Sequence, residues 1–315
     1  MYGEENFQRV KEIIDGRRLA AEARAEQRNT ELTLSYEDIR EIDKELRTTG
    51  LLIFKTACRG GDMAPIRERN QFLCEERKKA LKKHGLPEDY TEVKYTCPKC
   101  SDSGYVGTRL CTCFRELLVK ENIKSSGMGR LIDKQSFENF DLSYYRGDPD
   151  DFERMESIVK FAKAFVESFG APPTTLLFIG PTGTGKTHIS TAIAKELMER
   201  GKTVIYDSIQ NILTDFEDDK FRSGYGAYEQ KSRKYFECDL LIIDDLGTEF
   251  SNSFSVSALY NLLNTRQNKG MATILSTNLS AKTISTTYED RICSRLLGAD
   301  TKVLQFVGTD KRLYK

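Results

Sequence analysis

Tryptophan is absent from the 315-residue sequence, and no apolar run approaches the length of a membrane span. Neither charge is in excess. Lysine and arginine total 48 against 48 aspartates and glutamates, so any nucleic-acid contact needs a local basic patch or a recruiting partner rather than bulk charge. The N-terminal MYGEENFQRVKEIID alternates charged and apolar residues at helical spacing and lacks the continuous apolar stretch of a secretory signal. There is no internal repeat or low-complexity tract. With 39% apolar and 30% charged residues, the expectation is a cytoplasmic globular protein with no membrane partner. The length suits two domains.

Residues 4–84 are dense in Glu, Lys, Arg, Ala and Leu, with apolar positions such as Ile39, Ile42, Leu46 and Phe72 at helical intervals. Gly60-Gly61 and Gly85-Leu86-Pro87 break the pattern, giving a helical arm or hairpin. A short helix around Phe114–Ile123 follows, then Ser125-Ser126-Gly127-Met128-Gly129, a composition that suits a linker. The predicted division is residues 1–124 as a helical, metal-bearing interaction domain, 125–150 as linker, and 151–315 as a second domain. In the last, five short apolar runs alternate with helical patterns: Thr175–Ile179, Thr203–Tyr206, Leu240–Ile243, Thr273–Ser276 and Val303–Val307. That alternation predicts an α/β fold with a parallel sheet and crossover helices.

Eight cysteines in a reducing compartment point to metal or buried thiols rather than disulfides. Cys58, Cys74, Cys238 and Cys293 stand singly and carry no assignment. Cys97-Pro98-Lys99-Cys100 is a knuckle-type pair, and Cys111-Thr112-Cys113 returns two more thiols, a set of four that suits tetrahedral zinc. The second pair has one spacer, where structural sites usually have two to four. The segment offers no acid or histidine beside an open position, so the zinc is expected to be structural, supplying folding energy to a stretch with little core.

After the run LLFI comes Gly180-Pro181-Thr182-Gly183-Thr184-Gly185-Lys186-Thr187, the G-x-x-x-x-G-K-T phosphate loop, opening a helix at His188. These nine residues are the candidates for binding ATP. Backbone N–H groups and a helix N-terminus face the phosphates, Lys186 reaches the β- and γ-phosphates, and Thr187 ligates magnesium. A second run ends in Asp244 and Asp245: the first is expected to hold magnesium, the second to polarise the attacking water. A third ends in Asn278, placed to bond the γ-phosphate or the water, although asparagine at a strand end is also an ordinary turn former.

The set made by the phosphate loop, LLIIDDLG, ILSTN, DRICSRLLG and VGTDKR, over roughly residues 130–315, resembles the AAA+ ATPase domain of the bacterial helicase loaders DnaC and DnaI, and also the transposition ATPase IstB. The resemblance implies an AAA+ P-loop ATPase without a separate helical lid, with Asn278 as sensor 1 and Arg312 at the sensor 2 position. It also implies Arg295 as an arginine finger acting on a neighbour's ATP in an ATP-dependent homo-oligomer. Arg291 lies one helical turn away, so the finger assignment is open between the two. The implied partners are the hexameric replicative helicase, gripped by the N-terminal region, single-stranded DNA, and initiator or primosome proteins. The stretch Phe216–Tyr228 mixes aromatics, cations and glycines, and Lys220, Phe221, Arg222 and Tyr225 are candidates for single-stranded DNA; an ordinary amphipathic connection is the competing reading. Loading the replicative helicase onto single-stranded DNA is the expected function. The alternatives are a transposition accessory ATPase and a non-hydrolysing ATP switch.

Overall fold

A computed structural model of the chain describes residues 2–222, 230–250 and 252–310. The chain divides into two compact units, residues 11–114, and residues 115–315 together with the first ten.

The smaller unit is built on α1 (Tyr2–Ser35), most of whose length it holds, α2 (Glu37–Cys58) and α3 (Ala64–Lys83). The break at Tyr36 falls where no glycine or proline marks it. Its backbone turns extended (φ −129°), and Glu37 and Asp38 then supply negative charge to the first turn of α2. Helix α3 starts with Pro65 in its first turn and ends in a Schellman motif, Gly85 (φ +73°) donating to the Lys82 carbonyl at 3.0 Å and Leu86 to the Leu81 carbonyl at 3.0 Å. The apolar core here is small: Leu32, Ile39, Ala80 and Leu81, with Tyr36, Ile42, Leu86 and Tyr90 against them. Polar ties supplement it. The Arg77 guanidinium donates to Asp43 at 2.6 Å, to Thr91 at 3.1 Å and to Asn29 at 3.1 Å. A two-stranded ribbon follows, β1 (Tyr105–Val106) against β2 (Arg109–Leu110), and α4 (Thr112–Ser125) leads out of the unit.

The larger unit opens with the short α5 (Leu131–Lys134), a 3₁₀ turn at Leu142–Tyr145, and α6 (Pro149–Glu167), capped by Asp148. Then come β3 (Thr175–Ile179), α7 (Lys186–Glu199), β4 (Val204–Ser208), α8 (Ile209–Arg222), α9 (Arg233–Glu237) and β5 (Leu240–Leu246). The unit continues with α10 (Ser253–Asn268), β6 (Ala272–Thr277), α11 (Ala281–Thr287), α12 (Asp290–Leu297) and β7 (Thr301–Gln305). All five strands expected from the apolar runs are present, in one parallel sheet of order β4-β5-β6-β3-β7. Burial on both faces explains why the central strands β3, β5 and β6 read as apolar runs, whereas the edge strand β7 is largely exposed. On β3, Leu176 and Phe178 join α6 and α7 in one core, while Leu177 and Ile179 join α8, α10 and α12 in the other. The chain is therefore an α/β fold built on a five-stranded parallel sheet, with a helical region and a cysteine cluster ahead of it in sequence.

The linker expected over 125–150 is corrected by packing. Met128, Ile132, Phe137 and Tyr145 are all buried in the α6–α7 core. Gly127 (φ +83°) lies against the edge of the sheet, where a Cβ would stand 2.3 Å from the Tyr206 carbonyl oxygen, and Tyr206 N–H donates to the Ser126 carbonyl at 2.7 Å. The small residues permit a close backbone approach there; they do not supply slack.

Candidate nucleotide site and cysteine cluster

Parallel topology brings the C-terminal ends of β3, β5 and β6 together, and the phosphate loop, Asp244, Asp245 and Asn278 lie at or just after those ends, with Lys186 and Thr187 opening α7. Two glycines of the loop are required sterically. Gly183 has φ +75°, and a Cβ there would fall 1.8 Å from an Asp310 carboxylate oxygen. Gly185 (φ +91°) ends the loop at the start of α7 with Phe140 2.8 Å from where a Cβ would be. Pro181 and Thr182 are exposed at the outer side of the loop, and Thr184 is buried with its hydroxyl donating to the Pro181 carbonyl at 2.8 Å.

Lys186 is only 8% exposed. Its ammonium donates to the carbonyls of Gly180 at 2.6 Å and Pro181 at 2.8 Å, and to Asn278 Oδ1 at 2.8 Å. The P-loop lysine and the expected sensor asparagine thus meet directly. His188 turns the other way: Nε2 lies 2.9 Å from both the Ser136 carbonyl and Asn139 Oδ1, with the Phe140 ring edge-on at 5.0 Å. Both neighbours are acceptors, so Nε2 carries the hydrogen. Burial depresses the imidazole pKa below its ordinary value, against the Ser136 carbonyl, which raises it.

Asp244 and Asp245 are separated by a β-bulge. Ile243 pairs with Leu275 and Leu246 with Thr277, which leaves the two aspartates opposite Ser276 alone. Asp245 takes φ +56°, and its side chain is exposed while Asp244 turns inward. Asp244 Oδ1 accepts from the Ser276 hydroxyl and from the Asp245 N–H at 3.1 Å; Oδ2 accepts from the Tyr206 hydroxyl, and the Thr187 hydroxyl stands 3.4 Å away. A separation of 3.4 Å is long for an O–H···O bond, which brings Thr187 and Asp244 to opposite sides of a gap where both can face one cation. Burial first, and the Asp244 charge second, push the Tyr206 phenol well above its ordinary pKa, so it remains a donor.

Arg291 and Arg295 lie one turn apart on α12. Arg291 is committed, paired with Glu289 at 2.9 Å and lying over the Tyr260 ring at 5.2 Å. The half-buried Arg295 guanidinium makes no hydrogen bond or ion pair among the described residues, and neither arginine joins the Lys186 cluster. Lys220 lies over the Phe254 ring at 4.8 Å, and Phe221 is 78% exposed at the end of α8. Tyr225, Arg312 and the side chain of Arg222 lie outside the described residues.

Several participants carried no sequence signal. Tyr206 and Ser276 reach Asp244 from strands on either side of β5. Tyr145 donates to the Thr184 carbonyl at 3.0 Å, its phenol pushed up to about 12 by burial, and bears on the phosphate loop from behind.

The four cysteines of the first unit converge. Their sulfurs lie within 4.8 Å of one another, with Cys97 to Cys111 at 3.8 Å and Cys100 to Cys113 at 3.5 Å. Four ~2.3 Å bonds to a tetrahedral zinc place sulfurs ~3.8 Å apart, so the set fits that ion. The single spacer of the second pair is accommodated with Cys113 in the first turn of α4. Buried Asp102 holds the knuckle, accepting from the N–H of Thr96 at 2.7 Å and of Cys97 at 2.9 Å. The Cys113 N–H lowers the Cys111 thiol to about 7, while burial raises that of Cys113.

Among the described residues, no helix is long and apolar enough to cross a membrane. The profile of the IstB-like ATP binding protein family matches residues 115–301. The replicative helicase loader DnaC of Escherichia coli strain K12 is 25% identical over 182 residues, 58% of this chain and 71% of that protein. The uncharacterized protein YdaV of the same strain is 26% identical over 184 residues, 58% of this chain and 69% of that one. The crystal structure of DnaI superposes with a TM-score of 0.45 at 22% identity, covering 59% of this chain and 95% of the other. With the profile spanning more than half of its length, the chain belongs to the IstB-like ATP binding protein family and is similar to the DnaC-type helicase loaders.

Proposed function

We propose that this protein is an ATP-hydrolysing loader that delivers a replicative DNA helicase onto single-stranded DNA. The observation that carries the reading is the meeting of Lys186 with Asn278, and of Thr187 with Asp244, at the ends of three strands. The loop from Gly180 to Thr187, with His188 behind it, holds the triphosphate of ATP. Thr187 and Asp244 hold Mg²⁺, which neutralises charge on the phosphates when bound. Exposed Asp245 accepts a proton from the attacking water, and Asn278 orients that water while sharing its amide oxygen with Lys186. Arg295, uncommitted where Arg291 is paired, is the cation offered to a neighbouring subunit's nucleotide. That role requires an ATP-dependent homo-oligomer. The four-cysteine segment holds structural zinc within the arm that grips the hexameric helicase, and Lys220, Phe221, Arg222 and Tyr225 contact single-stranded DNA.

The similarity to a protein named replicative helicase loader supports the partner, and the cysteine-bearing arm favours it over a transposition accessory ATPase acting on duplex DNA. Size-exclusion chromatography with the cognate replicative helicase, with and without ATP, tests it. The expected result is a co-eluting complex that changes with ATP and releases helicase onto single-stranded DNA. Failure to form a complex in any nucleotide condition excludes the loader reading. ATP turnover unchanged by Lys186→Ala and Arg295→Ala, with helicase and DNA present, excludes the hydrolytic one.

A further inference from the structure

We infer that Tyr206 and Ser276 are positioning residues that fix Asp244 for metal binding, and that magnesium affinity in the nucleotide complex depends on these two hydroxyls. The inference rests on the nucleotide-site reading and deepens it. Strand β5 is clamped from both sides at one residue. Tyr206 on β4 donates to Oδ2, and Ser276 on β6 donates to Oδ1. The bulge makes the arrangement specific. Because two residues of β5 oppose one of β6, Asp244 is rotated onto Ser276 and Asp245 is turned out. Ser276 is 1% exposed, and the next residue, Thr277, is tied to the Leu246 carbonyl at 2.6 Å, so the serine hydroxyl has little freedom to leave.

A carboxylate on a short side chain at a strand end otherwise samples several rotamers. Held by one hydroxyl on each oxygen, it keeps one face toward Thr187. Hydrogen bonds to metal-ligating carboxylates orient them, and their removal costs metal affinity rather than contacts to the rest of the ligand. The two hydroxyls therefore act on the metal and leave the phosphate loop's own grip unchanged.

The test is electron paramagnetic resonance titration of Mn²⁺ into the full chain with a non-hydrolysable ATP analogue, beside nucleotide affinity measured in excess chelator. Tyr206→Phe and Ser276→Ala should each weaken Mn²⁺ about tenfold. Metal-free nucleotide affinity and thermal midpoint should stay near wild type, and Ser276→Thr should restore Mn²⁺ binding. A loss of fold would move all of these quantities together. Mn²⁺ affinities within about twofold of wild type in both hydroxyl-deleted variants overturn this inference alone. Absence of any nucleotide-dependent Mn²⁺ signal in the wild-type chain overturns it together with the nucleotide-site reading.

Discussion

Lys186 shows how one side chain can carry a site. Its ammonium is buried and donates to two loop carbonyls and to the Asn278 amide oxygen. A lysine held at the opening of this helix beside the loop amides is placed to meet the triphosphate in the proposed nucleotide complex. Lys186→Ala should reduce ATP turnover at least about a hundredfold and abolish binding of a fluorescent ATP analogue. The two arginines of α12 separate by the same logic of commitment. Arg295→Ala should lower turnover by roughly a thousandfold with little change in the ATP affinity of the isolated subunit, and Arg295→Lys should not rescue it, since a lysine ammonium lacks the planar fork. Arg291→Ala should remain within a few-fold of wild type, because it gives up only an exposed pair with Glu289 and a ring contact. Equal losses in both variants would refute the division of roles. His188 adds a pH dependence. Its folded pKa lies below the unfolded value, so the unfolded chain takes up the proton first. Stability is then full above ~6.5 and falls as pH drops through that value. Melting curves from pH 8 to pH 5 should show this decline in wild type and a smaller one in His188→Asn.

At the scale of elements, what the sequence disclosed was what is local. The central strands β3, β5 and β6 were legible because strands buried on both faces need apolar runs, as in Thr175–Ile179 and Leu240–Ile243. The phosphate loop and the cysteine pairs were legible because their chemistry demands fixed spacing. The clamp on Asp244 was not. Tyr206, Asp244 and Ser276 lie on three strands, and only register and the bulge bring them together. The segment 125–150 was misread because Ser and Gly report permissive backbone, whereas burial of Met128 and Phe137 is decided by tertiary packing. The cysteine ribbon allows a test at this scale. Strands of two residues each cannot hold an antiparallel ribbon alone, so the proposed zinc is expected to supply its order. The chain should contain one zinc by elemental analysis. Chelation, or Cys100→Ala, should destabilise residues 97–114 and lower far-UV helical signal, with ATP-analogue binding retained. Resistance of the far-UV spectrum to a strong chelator, in a sample shown to have lost its zinc, would argue against a structural ion.

For the whole molecule, the constraint is charge. With 48 cations and 48 anions the chain has no net attraction for a polyanion, so DNA affinity must be local and modest. A protein that acts on single-stranded DNA under that constraint has to be brought there, and the helicase is the carrier the proposed function provides. The order of events is then fixed by linkage. If ATP stabilises the oligomer through Arg295, oligomerisation must in turn tighten ATP by the same factor. Light scattering of the isolated chain should therefore show a mass that rises with ATP analogue and protein concentration. Apparent nucleotide affinity should strengthen in parallel, and Arg295→Ala should remove both effects while leaving single-site nucleotide binding intact. An ATP affinity independent of protein concentration, across a range in which the mass changes, would break that reciprocity and show that the nucleotide site is complete within one subunit.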